Sequence, residues 1–148
     1  MTIALPAFDL RRPDTVAAAT QLLAEHPAAR LIAGGTDLIP NLRRGIETPP
    51  LLVDVSALPG FAEIAIDGSA ITLGAGVTLA RLAAAPGIAR SHPVLAEAAA
   101  AVAGPGHRTV ATIGGNLCLD TRCVYYNQSA TVNIRISGWL AADSSSAR

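Results

Sequence analysis

The sequence predicts an α+β fold, one domain built in two halves, and three observations support this prediction. The chain has 148 residues, of which 51% are hydrophobic, and this is enough material for one domain with its own core. Helical and extended apolar patterns alternate along the chain. Asp67-Gly68 separates two runs of alternating apolar and polar residues, which is the strongest short signal for a β-hairpin. The two halves are predicted to meet near Leu58 to Gly60.

The first predicted helix lies in the segment "PDTVAAATQLLAEHP". Asp14 is predicted to be its N-cap, and Pro27 closes it because proline cannot continue a helix. Residues spaced three and four apart form its apolar face, namely Val16, Ala19, Leu22 and Leu23.

Two strands and a short helical turn complete the first half. "ARLIAGG" reads as a short apolar strand that runs into Gly34 and Gly35. "TDLIPNLRRG" then predicts a short helical turn ending near Gly45, and "PPLLVDVSAL" predicts a second strand.

The second half is predicted to begin with the hairpin and to continue as helices. "AEIAIDGSAITLGAG" contains the two hairpin strands. The alanine-rich stretches "TLARLAAA" and "PVLAEAAAAVA" then predict two helices, separated by Pro86, Gly87 and Pro93.

Two glycine pairs, Gly34-Gly35 and Gly114-Gly115, stand where apolar segments end. Because glycine has no Cβ and adopts positive φ readily, consecutive amide N–H groups in such a segment can point at an anion. The helix that follows the first pair would add its positive N-terminal end. Two such loops can hold a diphosphate between them, whereas the alternative for each pair taken alone is a tight turn. The polar members of the two loops are Thr36, Thr112 and Asn116.

The known nucleotide motifs of other folds do not occur in the sequence. No G-x-G-x-x-G and no G-x-x-x-x-G-K-[ST] is present, so a nucleotide would not be held as in a Rossmann or P-loop protein. His107 and Arg108, just before the second pair, are candidates to assist phosphate binding or to contact a partner subunit.

Four segments in order, "LIAGGTDLIPNLRRG", "PLLVDVSAL", "ITLGAGVTLARLA" and "TVATIGGNLC", resemble the FAD-binding medium subunit of the molybdenum hydroxylases. Carbon monoxide dehydrogenase and xanthine dehydrogenase belong to that family. The resemblance runs from about Ala7 to Ser129, and the stretch "GPGHRTVATIGGNLCLDTRCVYYNQS" looks closest to the β subunit of 4-hydroxybenzoyl-CoA reductase.

The resemblance implies an FAD-binding fold of the PCMH type with two α/β subdomains. Residues 1–57 would form the first subdomain and residues 58–129 an incomplete second one. FAD would relay electrons between an external carrier and the iron–sulfur clusters of a [2Fe-2S] small subunit. The molybdenum cofactor and the substrate would lie on a large subunit, so no catalytic acid or base is expected in this chain. The FAD-binding residues implied by position are Leu31, Ile32, Ala33, Gly34, Gly35, Thr36, Asp37, Leu38, Thr112, Ile113, Gly114, Gly115 and Asn116.

The only two cysteines, Cys118 and Cys123, are spaced C-x4-C. The reductase branch of the family carries an additional [4Fe-4S] cluster on its flavin subunit, and such a cluster takes four thiolates. Cys123 is the candidate for a partial iron–sulfur ligand, whereas Cys118 is expected to be a packed thiol. The alternative is that both are inert thiols in this chain.

The resemblance is lost after Ser129, and we expect residues 130–148 to be a non-family tail that is disordered or arises from a truncated or frameshifted reading frame. Eleven basic and eleven acidic residues are scattered along the chain, which argues against nucleic acid as a partner. The N-terminus matches neither a signal peptide nor a membrane span, and a cytoplasmic location is predicted. Two other hypotheses stay open. The chain could be a module that binds a nucleotide or another anion and has no redox function, or a fragment that serves only subunit interaction.

Overall fold

The structure of the protein is a computed structural model, and it describes residues 4–68 and 70–119. The predicted tail at 130–148 and Cys123 lie outside these residues. In chain order the elements are β1 (Asp9–Arg11), α1 (Val16–Glu25), β2 (Arg30–Ile32), α2 (Leu38–Arg43), β3 (Leu51–Asp54), β4 (Ile64–Asp67), β5 (Ala70–Leu73), α3 (Leu79–Ala84), α4 (Pro86–Ser91), α5 (Pro93–Ala101), α6 (Pro105–Arg108) and α7 (Ile113–Leu117).

The first half contains a three-stranded parallel sheet in the order β1-β3-β2. The central strand is β3, whose residues 51–53 are all buried, as expected for an apolar strand covered on both sides. Strands β2 and β3 confirm the two strands predicted for this half. Strand β1 was not predicted, because its sequence "DLR" is short, charged and exposed.

Helix α1 packs on the sheet through its buried residue Ala19. The prediction of Asp14 as its N-cap is wrong: the cap is Thr15, whose hydroxyl accepts a hydrogen bond from the Ala18 amide at 3.1 Å. The predicted apolar face is also too wide, because Val16 is 53% exposed. The core cluster of this half contains Ala19, Ala29, Leu51, Val53, Val55 and Leu58.

The predicted hairpin is confirmed as the antiparallel pair of β4 and β5. Asp67 is the last residue of β4 and pairs with Ala70, so the chain reversal begins at Gly68. Gly68 has φ +56°, a conformation that favours glycine. The hairpin contributes Ile64, Ile71 and Leu73 to the packing of the second half.

Helices α3 and α5 confirm the two helices predicted for the second half, but α4 lies between them where only a break was expected. Pro86 and Pro93 begin α4 and α5 instead of separating helices. Proline suits the first helical position because its fixed φ is already helical and the N–H that it lacks has no partner there. The buried core of this half contains Val77, Leu79, Leu82, Ile88, Ala96 and Ala99. Within the described residues, no helix is long and apolar enough to cross a membrane.

The division at residues 57 and 58 stays a prediction, since both halves lie in one unit that runs to Cys118.

Asp54, the last residue of β3, joins the carboxyl ends of two strands. Its carboxylate accepts a hydrogen bond from Arg12 Nε at 3.0 Å and another from the Ser56 amide at 3.0 Å. Partial burial raises the pKa of Asp54, but the hydrogen bonds from Ser56 and Arg12 outweigh it, and the pKa is lowered on balance.

Replacing Asp54 with asparagine should lower the free energy of unfolding at neutral pH by about 1 kcal/mol, because Arg12 is largely exposed and its contribution is screened. The lowered pKa makes this contribution complete above the unfolded-state pKa of about 3.9, and it disappears as the pH falls through the folded-state value. Urea unfolding of both proteins across this range measures the difference. A difference that stays constant down to the most acid pH would contradict the assignment.

Candidate functional site

The first glycine segment, residues 33–37, connects β2 to α2 at the carboxyl end of a parallel strand. This is the edge at which open α/β sheets bind ligands. Of the eight residues predicted here, Leu31 and Ile32 belong to β2 and Leu38 begins α2. Gly35 has φ +68°, so the turn that leads into α2 needs glycine at this position.

Four successive amides in this segment are available for a ligand. The N–H groups of residues 33–36 donate to no acceptor in the part of the chain that the structure describes. A run of amides that bond neither to a strand nor to a helix forms a concave donor surface suited to phosphate oxygens. The first segment thus offers the amide donors that its glycine pair predicted, and phosphate binding by them stays a prediction.

The expected contribution of the N-terminus of α2 is not supported. Asp37 stands at the N-cap position of α2, and its carboxylate Oδ2 accepts a hydrogen bond from Nδ2 of the buried Asn41 at 3.2 Å. A fixed carboxylate at this end disfavours a phosphate there. A phosphate at this segment would therefore meet the amides of residues 33–36 and not the helix end.

The second glycine segment is not a loop with free amides, and that expectation is corrected. Thr112 is the N-cap of α7, and the glycine pair forms the first turn of that helix. Its four amides all donate within the protein: Ile113 to the Val77 carbonyl at 2.8 Å, Gly114 to the Ala75 carbonyl at 2.8 Å, Gly115 to Thr112 Oγ1 at 3.1 Å and Asn116 to the Thr112 carbonyl at 2.9 Å. Binding of FAD by Thr112 to Asn116 stays a prediction. The contacts with FAD would then come from side chains and from the surface of α7.

The two segments are brought together through Gly34. A Cβ built on Gly34 would lie 1.9 Å from the Val110 carbonyl oxygen and 3.2 Å from the Ala111 nitrogen. Backbone therefore packs directly on backbone here, which only glycine permits. Ala111 in turn accepts a hydrogen bond from the Leu79 amide at 2.9 Å, which ties the second segment to α3. Gly34 was predicted from the sequence as a ligand residue. Its packing role was not predicted, because the partner, Val110, is 76 positions away and the neighbouring sequence gives no signal of the contact.

Arg108 has a structural role. Its Nη1 donates to the carbonyl oxygens of Val102 and Ala103 at 2.9 and 2.6 Å, just after α5 ends. Ala103 has φ +45°, and the guanidinium holds this unusual turn. His107 is exposed, and its carbonyl accepts hydrogen bonds from the amides of Val110 and Ala111. Phosphate binding by His107 and Arg108 has no support in these contacts.

The prediction of a packed thiol at Cys118 is wrong, because Cys118 is a free, exposed cysteine at the end of α7. The helix is only five residues long and ends before it can bury this side chain. Among residues 4–68 and 70–119, no group of three or more His, Cys, Asp or Glu side chains is close enough to hold a metal ion. The prediction for Cys123 falls outside the described residues.

Thr112 provides a test of the second segment. Replacing Thr112 with alanine removes the acceptor of the Gly115 amide and should cost about 1 kcal/mol of unfolding free energy. Thr112→Ser keeps the hydroxyl and is the matched control, which should retain most of the stability. Chemical denaturation measures both variants. Equal losses would show that the buried methyl group, and not the cap, is responsible.

Comparison with known proteins identifies the family of this chain. Residues 6–135 match the family described as "FAD binding domain in molybdopterin dehydrogenase", so the match ends six residues beyond the predicted limit at Ser129. The chain is 41% identical over 113 residues to the alpha subunit of the 6-hydroxypseudooxynicotine dehydrogenase complex of Paenarthrobacter nicotinovorans, covering 76% of this chain and 38% of that protein. It is 38% identical over 136 residues to the aldehyde oxidoreductase FAD-binding subunit PaoB of Escherichia coli, covering 90% and 42%.

Solved structures show the same fold. Quinoline 2-oxidoreductase from Pseudomonas putida 86 superposes with a TM-score of 0.74 at 36% identity, and carbon monoxide dehydrogenase from Hydrogenophaga pseudoflava with 0.75 at 33%. Each match covers 77% of this chain and 40% of the other. The protein thus spans about two fifths of the length of these relatives. On this likeness, the chain belongs to the family of FAD-binding domains of the molybdopterin dehydrogenases, and its fold is of the PCMH type.

Proposed function

We propose that the chain is the FAD-binding part of the flavin subunit of a molybdenum-dependent oxidoreductase. The observation that supports this most strongly is the run of four available amides at residues 33–36, placed at the end of β2. Bound FAD supplies reversible uptake of electrons, which the protein moiety does not provide by itself.

The residues of this site fit the diphosphate of FAD. The amides of residues 33–36 would donate hydrogen bonds to the phosphate oxygens, and the positive φ of Gly35 forms the turn that carries these amides. The Thr36 hydroxyl is one further donor in the same segment. Thr112 to Asn116, held rigidly by their own hydrogen bonds, would form the facing wall. This chain's residues bind and orient the cofactor, and none is assigned a proton-transfer role.

The proposed partners are a large subunit that carries the molybdenum cofactor and a small [2Fe-2S] subunit, in a cytoplasmic complex. The support for a complex of several subunits comes from the names of relatives, which describe a "medium chain" of carbon monoxide dehydrogenase and an FAD-binding subunit of xanthine dehydrogenase. The names give different substrates, so none is assigned to this chain.

The experiment is a titration of the purified 148-residue chain with FAD, followed by quenching of flavin fluorescence and by the visible spectrum. We expect saturable binding with one FAD per chain. AMP and inorganic phosphate are tested as competitors, because inorganic phosphate alone would displace FAD from a general anion-binding site. Folded protein that does not bind FAD would contradict the proposal, and tight binding of nucleotides without flavin would favour the simpler nucleotide-binding module.

A narrower proposal places the complex in the 4-hydroxybenzoyl-CoA reductase branch. Its support is the resemblance of residues 104–129, which include both cysteines. A complex of that branch should contain iron beyond the [2Fe-2S] small subunit, and iron analysis with electron paramagnetic resonance of the reduced complex tests this. Iron accounted for by the small subunit alone would exclude this branch.

A further inference from the structure

The short segment of residues 74–76, which joins β5 to the N-cap of α3, packs tightly against the start of the second half. A Cβ on Gly74 would lie 2.3 Å from the Phe61 carbonyl oxygen and 2.4 Å from the Gly60 carbonyl oxygen. The Gly76 amide donates to the same Phe61 carbonyl at 2.6 Å. Both glycines thus let this segment lie directly on the backbone of residues 60–61, and its position is fixed from that side.

Ala75, between these glycines, contacts the second glycine segment. Its carbonyl accepts the hydrogen bond from the Gly114 amide at 2.8 Å. A Cβ on Gly114 would lie 2.7 Å from the Ala75 Cβ and 2.8 Å from the Ala75 oxygen, closer than non-bonded carbon and oxygen atoms approach. Gly114 must therefore be glycine because of Ala75, whether or not a ligand is bound.

We propose that Ala75 is a positioning residue for the FAD site, because its contact with Gly114 seats α7 and requires glycine at that position. The hydrogen bond and the backbone contact between Ala75 and Gly114 are the route by which Ala75 would act on the cofactor. Ile113 and Leu79 complete the attachment through the carbonyls of Val77 and Ala111. Residues 74–76 thereby fix the wall that faces the amides of residues 33–36. This inference rests on the proposed function.

The test is a double-mutant cycle with Ala75→Gly, Gly114→Ala and the double variant in the 148-residue chain. FAD affinity is measured by fluorescence at a temperature where all four proteins are folded, and thermal unfolding is measured without FAD. Gly114→Ala should weaken FAD binding about tenfold and lower Tm, since forcing a methyl group into a packed contact displaces the backbone. Adding Ala75→Gly should recover about threefold of the lost affinity and part of the Tm, because it removes the contact between the two Cβ atoms.

Gly115→Ala is the matched control. Its Cβ would lie 3.1 Å from Thr112 Oγ1 and has no close contact with Ala75, so Ala75→Gly should not improve it. The inference is supported if Ala75→Gly recovers FAD affinity when combined with Gly114→Ala but not when combined with Gly115→Ala. No recovery of FAD affinity with Gly114→Ala would overturn it, because the contact between the two Cβ atoms would then not set the position of α7.

The experiment distinguishes failure of the proposed function from failure of this inference. Wild-type chain that does not bind FAD would overturn the proposed function, and with it this inference, whereas binding without coupling overturns the inference alone. If Gly114→Ala is insoluble, Ala75→Val approaches the same contact from the other side. It should weaken FAD binding severalfold while the protein stays folded, and unchanged affinity would contradict the inference.

Discussion

Replacing Gly34 with alanine is expected to abolish measurable FAD binding and to lower the free energy of unfolding by about 2–3 kcal/mol. The new Cβ would lie 1.9 Å from the Val110 carbonyl oxygen, and a backbone atom has no rotamer by which to move away. The segment of residues 33–36 must then shift from residues 110–111. Because its amides are the proposed donors to the diphosphate, the same shift misplaces the ligand contacts.

Gly106→Ala is the matched control for this variant, since a Cβ at Gly106 meets no atom within 4 Å. It makes the same chemical change in a short helix and should keep both FAD affinity and stability. FAD titration and urea unfolding of the two variants check the prediction. Wild-type affinity in folded Gly34→Ala protein would show that the contact with Val110 does not shape the site.

Replacing Leu82 with alanine should cost about 2–5 kcal/mol of unfolding free energy, which is the usual range for a large cavity in a core. Leu82 is fully buried in α3 and belongs to the cluster with Val77 and Ile88. A loss of this size is a large part of the total stability of a small domain. Helix α3 also carries the Leu79 amide bonded to Ala111, so loosening the helix should weaken FAD binding as well.

Leu117→Ala removes the same atoms from a side chain that is 78% exposed in α7. It should change the stability of the free chain by less than about 0.5 kcal/mol. Denaturant unfolding without FAD compares the two variants directly. Similar losses in both would mean that the second core cluster contributes little to folding.

The parts of the fold that could be predicted from the sequence are those with a periodic apolar pattern. The hairpin followed from alternation around Asp67-Gly68, α1 followed from apolar residues spaced three and four apart, and α3 and α5 followed from alanine-rich stretches. The central strand β3 was visible as a short apolar run bounded by proline and serine. These signals are local, because each depends on neighbours within about ten residues.

The remaining elements depend on contacts that a sequence does not display. Strand β1 exists because β3 offers it an edge. Helix α7 has two glycines, which disfavour helix formation; it forms because Thr112 caps it and the carbonyls of Ala75 and Val77 accept its first amides. The prolines of α4 and α5 were interpreted as breaks, although the first helical turn accepts proline well.

The sequence predicted the same chemistry for two glycine pairs, but the structure shows that their amides differ. Both glycine pairs were identified, and the first has the available amides that were expected. The second does not, since its amides bond to residues 75–77 and to Thr112. Whether a glycine serves a ligand or a neighbouring chain segment depends on tertiary contacts, here between residues 36 to 76 positions apart. The segment "GAG" at residues 74–76 was quoted as part of a motif, but its role follows only from those contacts.

Amide hydrogen exchange by NMR, with and without FAD, tests the central claim most directly, because each N–H group reports its own hydrogen bond. We expect the amides of Gly34, Gly35 and Thr36 to exchange rapidly in the free chain and to become protected when FAD binds. The amides of Gly114 and Gly115 should already be protected without FAD and should change little. Rapid exchange at Gly114 and Gly115 in the free chain, with protection gained there and not at residues 34–36, would contradict the assignment of the diphosphate to the first glycine segment.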